Sequence, residues 1–123
     1  MTGAPSESVI RRVLEEHRGR FNNWDKQGWL DLFVESPQVE EPVGTPVRTG
    51  REHFLASIDN LQRAGMQIPE YETVLVCGHE AAVTMTLHVG ASVFAIIELF
   101  RFDDEARIIG TRVFMPPFDQ LGL

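Results

Sequence analysis

Residues 81–102 read AAVTMTLHVGASVFAIIELFRF, and this stretch decides the fold. Apolar and polar side chains alternate through its first half, and Gly90 separates that half from a second apolar run. Alternation with a period of two is typical of half-buried strands, and a single glycine between two such runs indicates a turn. Four runs of this kind predict an antiparallel meander, over Tyr71–Cys77, Ala81–Val89, Ala91–Phe102 and Arg107–Phe114.

Three amphipathic helices are predicted before the meander. The first, roughly 7–22, has Ser6 as its N-cap and one apolar stripe that includes His17. The second extends from Asp25 to about Val34 and is stopped by Pro37. The third extends from Gly50 or Arg51 to about Ala64, after a capping box at Thr49 and Glu52, and Gly65 ends it. Helices first and an antiparallel meander second predict an α+β domain with its helices on one face of the sheet.

Length and charge bound the possible functions. The chain has 123 residues, a net charge of −7 and a single cysteine, Cys77. We expect one domain over residues 1–123, with residues 1–5 and 118–123 frayed. The acidic balance argues against a nucleic-acid partner, and the absence of a long apolar run argues against a membrane partner. With no disulfide, zinc motif or signal peptide, the expected location is cytoplasmic.

Three titratable residues stand where the patterns call for apolar side chains. His17 lies on the buried stripe of the first helix, and period-two alternation puts Glu98 on one strand face with Phe94, Ile96, Phe100 and Phe102. Glu41 shares a strand face with Val39, just before a loop rich in proline and glycine. A carboxyl among apolar groups has a raised pKa, and a histidine beside it can donate a hydrogen bond. Together they predict an acid/base site inside a pocket.

Each residue also has a structural interpretation. His17 can be a core histidine with satisfied hydrogen bonds, Glu98 can pair with Arg112 on the neighbouring strand, and Glu41 can be a solvated loop carboxylate. A metal bound by His17, Glu41 and Glu98 is conceivable from the ligand types, but no motif supports it. The other histidines lack ligand spacing and are interpreted as structural or surface residues: His53, His79 and His88.

The segment Val39-Glu40-Glu41-Pro42-Val43-Gly44-Thr45, followed by Arg48-Thr49-Gly50, resembles the ketosteroid isomerase family. That family carries Val-Glu-Asp-Pro-Val-Gly-Ser and then Arg-Ser-Gly, and it belongs to the nuclear-transport-factor-2-like (SnoaL-like) superfamily. Glu98-Leu99-Phe100-Arg101-Phe102 is similar to the family's Asp-His-Phe-Arg-Phe strand. The resemblance implies a cone-shaped domain in which three N-terminal helices pack on a curved, mainly antiparallel sheet.

The resemblance also implies roles for the three polar residues. Glu41 falls on the family's catalytic base, Glu98 on the buried acid that donates to the substrate oxyanion, and His17 on the tyrosine of the oxyanion hole. Ketosteroid isomerases are the known case of a carboxylic acid kept neutral by an apolar site. This chain departs from them in having Glu for Asp twice and His for Tyr. His17 and Glu98 are also expected to share one proton if they are neighbours.

The leading hypothesis is a steroid Δ5-isomerase-like enzyme that needs no metal or organic cofactor. Glu41 would move a proton from the α to the γ position of an apolar ketone while Glu98 and His17 donate to the oxyanion. The family's homodimers imply a homodimer here. One alternative is an epoxide-opening hydrolase, polyether cyclase or polyketide cyclase, with Glu70 as a possible second acid; another is a non-catalytic ligand-binding module. The predicted pocket lining is Phe33, Phe54, Phe94, Phe100, Phe114 and Met115.

Overall fold

The computed structural model describes residues 3–117 and 120, except for the side chain of Ser57. The expectation of frayed ends therefore falls largely on residues outside this part: 1, 2, 118, 119 and 121–123. The helices are α1 (Glu7–Asn22), α2 (Lys26–Leu30) and α3 (Arg51–Arg63). The strands are β1 (Phe33–Glu40), β2 (Arg48–Thr49), β3 (Thr73–Cys77), β4 (Glu80–Val89), β5 (Ser92–Phe102) and β6 (Ile108–Phe114).

Helix α1 forms as predicted. The Ser6 hydroxyl caps it by accepting a hydrogen bond from the Val9 backbone N–H at 3.3 Å. Its apolar stripe is buried against the sheet, at Ile10, Val13, Leu14, His17 and Phe21. The stripe forms because residues three and four apart lie on one face of a helix.

Helix α2 is shorter than the sequence predicts. It ends at Leu30, and the chain turns and enters β1 at Phe33, so Phe33 is a strand residue. The spacing of Trp29 and Phe33 suits either structure, and the pairing of Phe33 with Ile108 of β6 decides for the strand. Pro37 lies within β1 and does not stop a helix. The β1–β6 register shifts between Phe33 and Gln38, so the missing N–H of Pro37 falls where the ladder is irregular.

Helix α3 forms at the predicted position without the predicted capping box. Its N-cap is Gly50, at φ 112°, and no side chain caps it. Thr49 is instead held in β2, where it pairs with Gln38 of β1. Gly65 follows the helix at φ 72°, a left-handed conformation that glycine adopts at little cost.

The six strands form one mixed sheet in the order β2-β1-β6-β5-β4-β3. Strands β3 to β6 form the predicted antiparallel meander, and β1 joins its open edge by pairing parallel to β6. This topology confirms the α+β fold class. It also places β1, which precedes the third helix in sequence, beside the last strand of the chain.

The two faces of the sheet differ. One face packs under the helices and carries the core, which includes Ile96, Phe100 and Phe102 of β5. The opposite face exposes large apolar side chains, at Leu75, Val93, Ile97 and Phe114. In the described part of the chain, no helix is long and apolar enough to cross a membrane.

Candidate active site

A cavity of about 120 Å³ lies between the helices and the covered face of the sheet. Its wall is mostly apolar and comes from every helix, from β1, β4, β5 and β6, and from the segment that follows α3. Within the part of the chain that the structure describes, four titratable side chains line it: His17, Glu41, His53 and Glu98. The structure therefore brings the three sequence-predicted site residues to one cavity.

Glu98 is held by the regular part of β5. Its Cα is paired with Val83 of β4 on one side and Val113 of β6 on the other. Ile96 and Phe100, two residues away in each direction, point to the same face and are buried. Burial raises the pKa of Glu98 well above its ordinary value of 4.5, and the charge of Glu41 adds to the rise. Both effects favour the protonated form of Glu98.

Glu41 follows the last residue of β1 and enters the loop that begins at Pro42. Val39, two residues earlier, is buried and lines the same cavity, as the shared strand face predicts. Burial raises the pKa of Glu41 above 4.5, whereas the guanidinium of Arg48 opposes that rise. Glu40 points the other way, where its carboxylate accepts hydrogen bonds from Arg112 at 2.8 Å and from the Gly44 backbone N–H at 2.9 Å.

Strand register explains how Glu41 and Glu98 meet. Glu40 pairs with Arg112, so Glu41 lies level with Val113, and Val113 pairs with Glu98. The two glutamates thus flank β6 on the same face, with their backbones two strand spacings, or roughly 9–10 Å, apart. Both side chains line the cavity, and the charge of Glu41 acts on Glu98. Burial raises the pKa of both carboxyls, and Arg48 opposes the rise at Glu41.

His17 reaches the cavity from α1 and is packed among aromatic rings. Its ring centroid lies 5.2 Å from that of Phe100, 5.7 Å from that of Trp29 and 6.0 Å from that of Phe33. Burial lowers the pKa of His17 from 6.5 to about 3, so the ring is neutral at physiological pH. Its Nδ1 has no hydrogen-bond partner among the described residues. His17 is thus neither a satisfied core histidine nor an imidazolium that shares a proton with Glu98.

Two other sequence interpretations also need correction. Arg112 does not neutralise Glu98, because alternation along β6 turns its side chain to the opposite face, where it binds Glu40. Glu70, the candidate second acid, is exposed and lies outside the cavity wall. Among the residues described, no group of three or more His, Cys, Asp or Glu side chains could hold a metal ion.

The structure places two of the six residues that were predicted to line the pocket in the cavity wall. Phe54 and Met115 line the cavity. Phe33 and Phe100 are fully buried in the core behind the ring of His17, and Phe94 lies on the covered face outside the wall. Phe114 is 42% exposed on the opposite face, with Arg112 over its ring, because alternation turns Val113 inward instead.

No protein-family model matches the sequence. Over 86 residues the chain is 33% identical to epoxide hydrolase LasB from Streptomyces lasalocidi. The match covers 68% of this chain and 30% of LasB, so the chain spans less than a third of that relative's length.

Solved structures superpose on nearly the whole chain. SalBIII, an epoxide hydrolase/cyclase-like enzyme described in pyran ring formation in the polyether salinomycin, superposes with a TM-score of 0.80 and 22% identity, over 93% of this chain and 95% of SalBIII. The chain has the nuclear-transport-factor-2-like fold. A candidate ketosteroid isomerase from Kribbella flavida DSM 17836 has the same fold, with a TM-score of 0.71 and 18% identity, over 88% of this chain and 78% of that one.

Within this nuclear-transport-factor-2-like fold, several residues of the cavity wall were not predicted from the sequence. His53, interpreted as structural or surface, lines the wall from α3, and Trp29 lines it from α2. Thr111 and Val113 of β6 and Met85 and Leu87 of β4 also line it. Period-two alternation marks those four residues as inward. The strand pairing puts Val113 level with Glu98, Thr111 level with Phe100, Met85 level with Ile96 and Leu87 level with Phe94.

Proposed function

We propose that this protein is a general acid/base enzyme that opens an epoxide in an apolar substrate. The observation that carries the proposal is the unequal pair of carboxyls in one apolar cavity. Burial raises the pKa of both carboxyls, well above the ordinary value at Glu98, whereas at Glu41 the charge of Arg48 opposes the rise. Opening an epoxide requires both functions at once, because the ring oxygen must gain a proton while the attacking hydroxyl loses one. The likeness to LasB and SalBIII supports the same choice.

In this mechanism Glu98 donates its proton to the epoxide oxygen as the carbon–oxygen bond breaks. Glu41 accepts the proton of the attacking hydroxyl, which belongs either to water or to the substrate itself, as the new carbon–oxygen bond forms. The products leave Glu41 protonated and Glu98 ionised. A proton then passes from Glu41 to Glu98, the group with the more strongly raised pKa, and restores the starting state.

The size of the cavity restricts the substrate. Its volume of about 120 Å³ lies below the roughly 300–1,000 Å³ that is usual for sites enclosing drug-sized ligands. A four-ring steroid would not be enclosed. The cavity fits the end of an apolar chain better than a whole steroid. The epoxide end of such a chain would enter the cavity, and the remainder would lie outside it.

A second candidate function is the isomerisation of a small unsaturated ketone, and the state of His17 favours it. The Nδ1 atom of His17 is buried without a hydrogen-bond partner among the described residues, so the neutral ring can carry its proton on Nε2. The Nε2–H group can then donate a hydrogen bond to an oxyanion in the cavity, beside the acid Glu98. Glu41 would then take the α proton and return it at the γ position. Because Glu41 both takes and returns the proton, this reaction needs no final proton transfer from Glu41 to Glu98.

A ring-closing probe tests the proposal. We would incubate the protein with a phenyl-substituted 4,5-epoxy alcohol in oxygen-18 water and separate the products by chiral chromatography. Cyclisation gives a cyclic ether without the label, whereas hydrolysis gives a labelled diol. Glu41→Gln and Glu98→Gln should each remove the activity, and Glu40→Gln, on the opposite face, should keep it. A wild-type rate no higher than that of the Glu41→Gln/Glu98→Gln double variant would refute epoxide opening, and 5-androstene-3,17-dione and a smaller β,γ-unsaturated ketone then test the isomerase alternative.

A further inference from the structure

The pairing of β2 with β1 places an arginine behind the base. Arg48 pairs directly with Val39 in an antiparallel ladder, and directly opposed residues in such a ladder project to the same face. Val39 is buried and lines the cavity. Arg48 therefore projects from the edge of the sheet toward the face that carries the site.

Arg48 is also within reach of Glu41. Glu41 is two residues beyond Val39, so it is the diagonal neighbour of Arg48, a relation that puts Cβ atoms roughly 7–8 Å apart and within reach of long side chains. The electrostatics agree with this placement, since the Arg48 charge acts on the carboxyl of Glu41. Arg48 is not part of the cavity wall, so it acts on the base from behind and does not meet the substrate.

The other groups around Glu41 do not supply this charge. From β5 it faces Glu98, which is neutral or negative, and from α1 it faces His17, which is neutral. Among the described residues, His53 of α3 is the remaining titratable group in the wall, and β6 contributes Thr111 and Val113.

We propose that Arg48 is a positioning residue that holds Glu41 as the ionised member of the Glu41/Glu98 pair. The inference rests on the proposed function, because it explains which carboxyl acts as base and which as acid. Without Arg48, the two buried carboxyls would have similar surroundings and would compete for one proton. A larger share of molecules would then carry the proton on Glu41 instead of Glu98.

The experiment follows the two carboxyls directly and does not depend on turnover. Protein labelled with carbon-13 at the glutamate carboxyl is titrated by NMR, and the Glu41 signal is assigned by its loss in Glu41→Gln. In Arg48→Met and in Arg48→Gln the midpoint for Glu41 should move to higher pH than in the wild type. Arg48→Lys, which keeps a cation, should stay near the wild-type midpoint. Arg112→Met, which removes an arginine from the opposite face, should leave the Glu41 midpoint unchanged.

The kinetic counterpart is the acid limb of the pH profile of kcat/KM. In Arg48→Met this limb should move to higher pH while activity recovers on the alkaline side. An unchanged or lowered Glu41 midpoint in folded Arg48→Met or Arg48→Gln would overturn the role of Arg48, even if Glu41→Gln proves that Glu41 is the base. A raised midpoint in a protein that opens no epoxide would instead retain Arg48 and refute the proposed reaction.

Discussion

The proton on Glu98 predicts how stability changes with pH. The folded-state pKa of Glu98 is raised above the ordinary value of 4.5, so the folded protein holds this proton more tightly than the unfolded chain does. Below pH 4.5 Glu98 is protonated in both the folded and the unfolded protein, and its favourable contribution to the stability of the fold is complete. As the pH rises above 4.5 the unfolded chain ionises first, and about 1.4 kcal/mol of stability is lost per pH unit until the folded group also ionises.

Glu98→Gln removes this loss. The amide has nearly the same shape as the acid and needs no ionisation when the chain unfolds. We expect the free energy of unfolding of the variant, relative to wild type, to grow by about 1.4 kcal/mol per pH unit from pH 5 upward, up to the folded pKa of Glu98. Urea unfolding followed by tryptophan fluorescence at pH 5, 6 and 7 measures it. Glu40→Gln is the matched control with the opposite sign, because Gly44 and Arg112 lower the pKa of Glu40, and its loss should destabilise the protein at these pH values.

One result would refute this reasoning. If Glu98 were a carboxylate paired with a buried cation, Glu98→Gln would strand that cation and cost about 3–5 kcal/mol at pH 7. A variant that is less stable than wild type at pH 7, or a difference that does not change between pH 5 and pH 7, would exclude the neutral acid.

The remaining predictions concern the base, the histidine and the outer face of the sheet. Glu41→Gln should fold normally and lower kcat about 10²–10⁴-fold, as measured against Glu40→Gln; full activity would exclude Glu41 as the base. His17→Phe should keep the fold and cost little or no stability, because it removes a buried nitrogen without a partner, and a melting curve checks this. The same variant should lower ketone isomerisation about 10²–10³-fold and leave epoxide opening nearly unchanged, so it separates the two reactions. Ile97→Asp, on the exposed apolar face, should convert the expected homodimer to a monomer in light scattering, and an unchanged mass would place any interface elsewhere.

Wild-type stability should also fall on the acid side because of His17. Its pKa is lowered from 6.5 to about 3, so its contribution to stability is complete above pH 6.5 and is lost as the pH falls toward 3. His17→Phe should reduce this acid sensitivity, and unfolding curves at pH 4, 5 and 6.5 would show it. Equal acid sensitivity in the two proteins would contradict a neutral buried ring.

The sequence predicted most of the fold because its strongest signals are periodic. The stripe of α1 and the alternation in β4 and β5 identify inward positions from local chemistry, and they placed His17 and Glu98 correctly. Boundaries near Phe33 were wrong, since a short apolar cluster fits a helix turn and a strand start equally well. Counting aromatic residues also misplaced the lining, because rings such as Phe100 fill the core behind the site.

By itself the sequence determined the element types, the inward faces and the candidate acids, because each depends on side chains that are near one another in the chain. The sequence and its family resemblance predicted one site for Glu41 and Glu98, but only the tertiary structure shows how the two residues meet. Their meeting depends on the parallel pairing of β1 with β6, which no local pattern specifies. The burial of both carboxyls and the position of Arg48, on which the proposed division into acid and base rests, likewise depend on packed neighbours from distant parts of the chain.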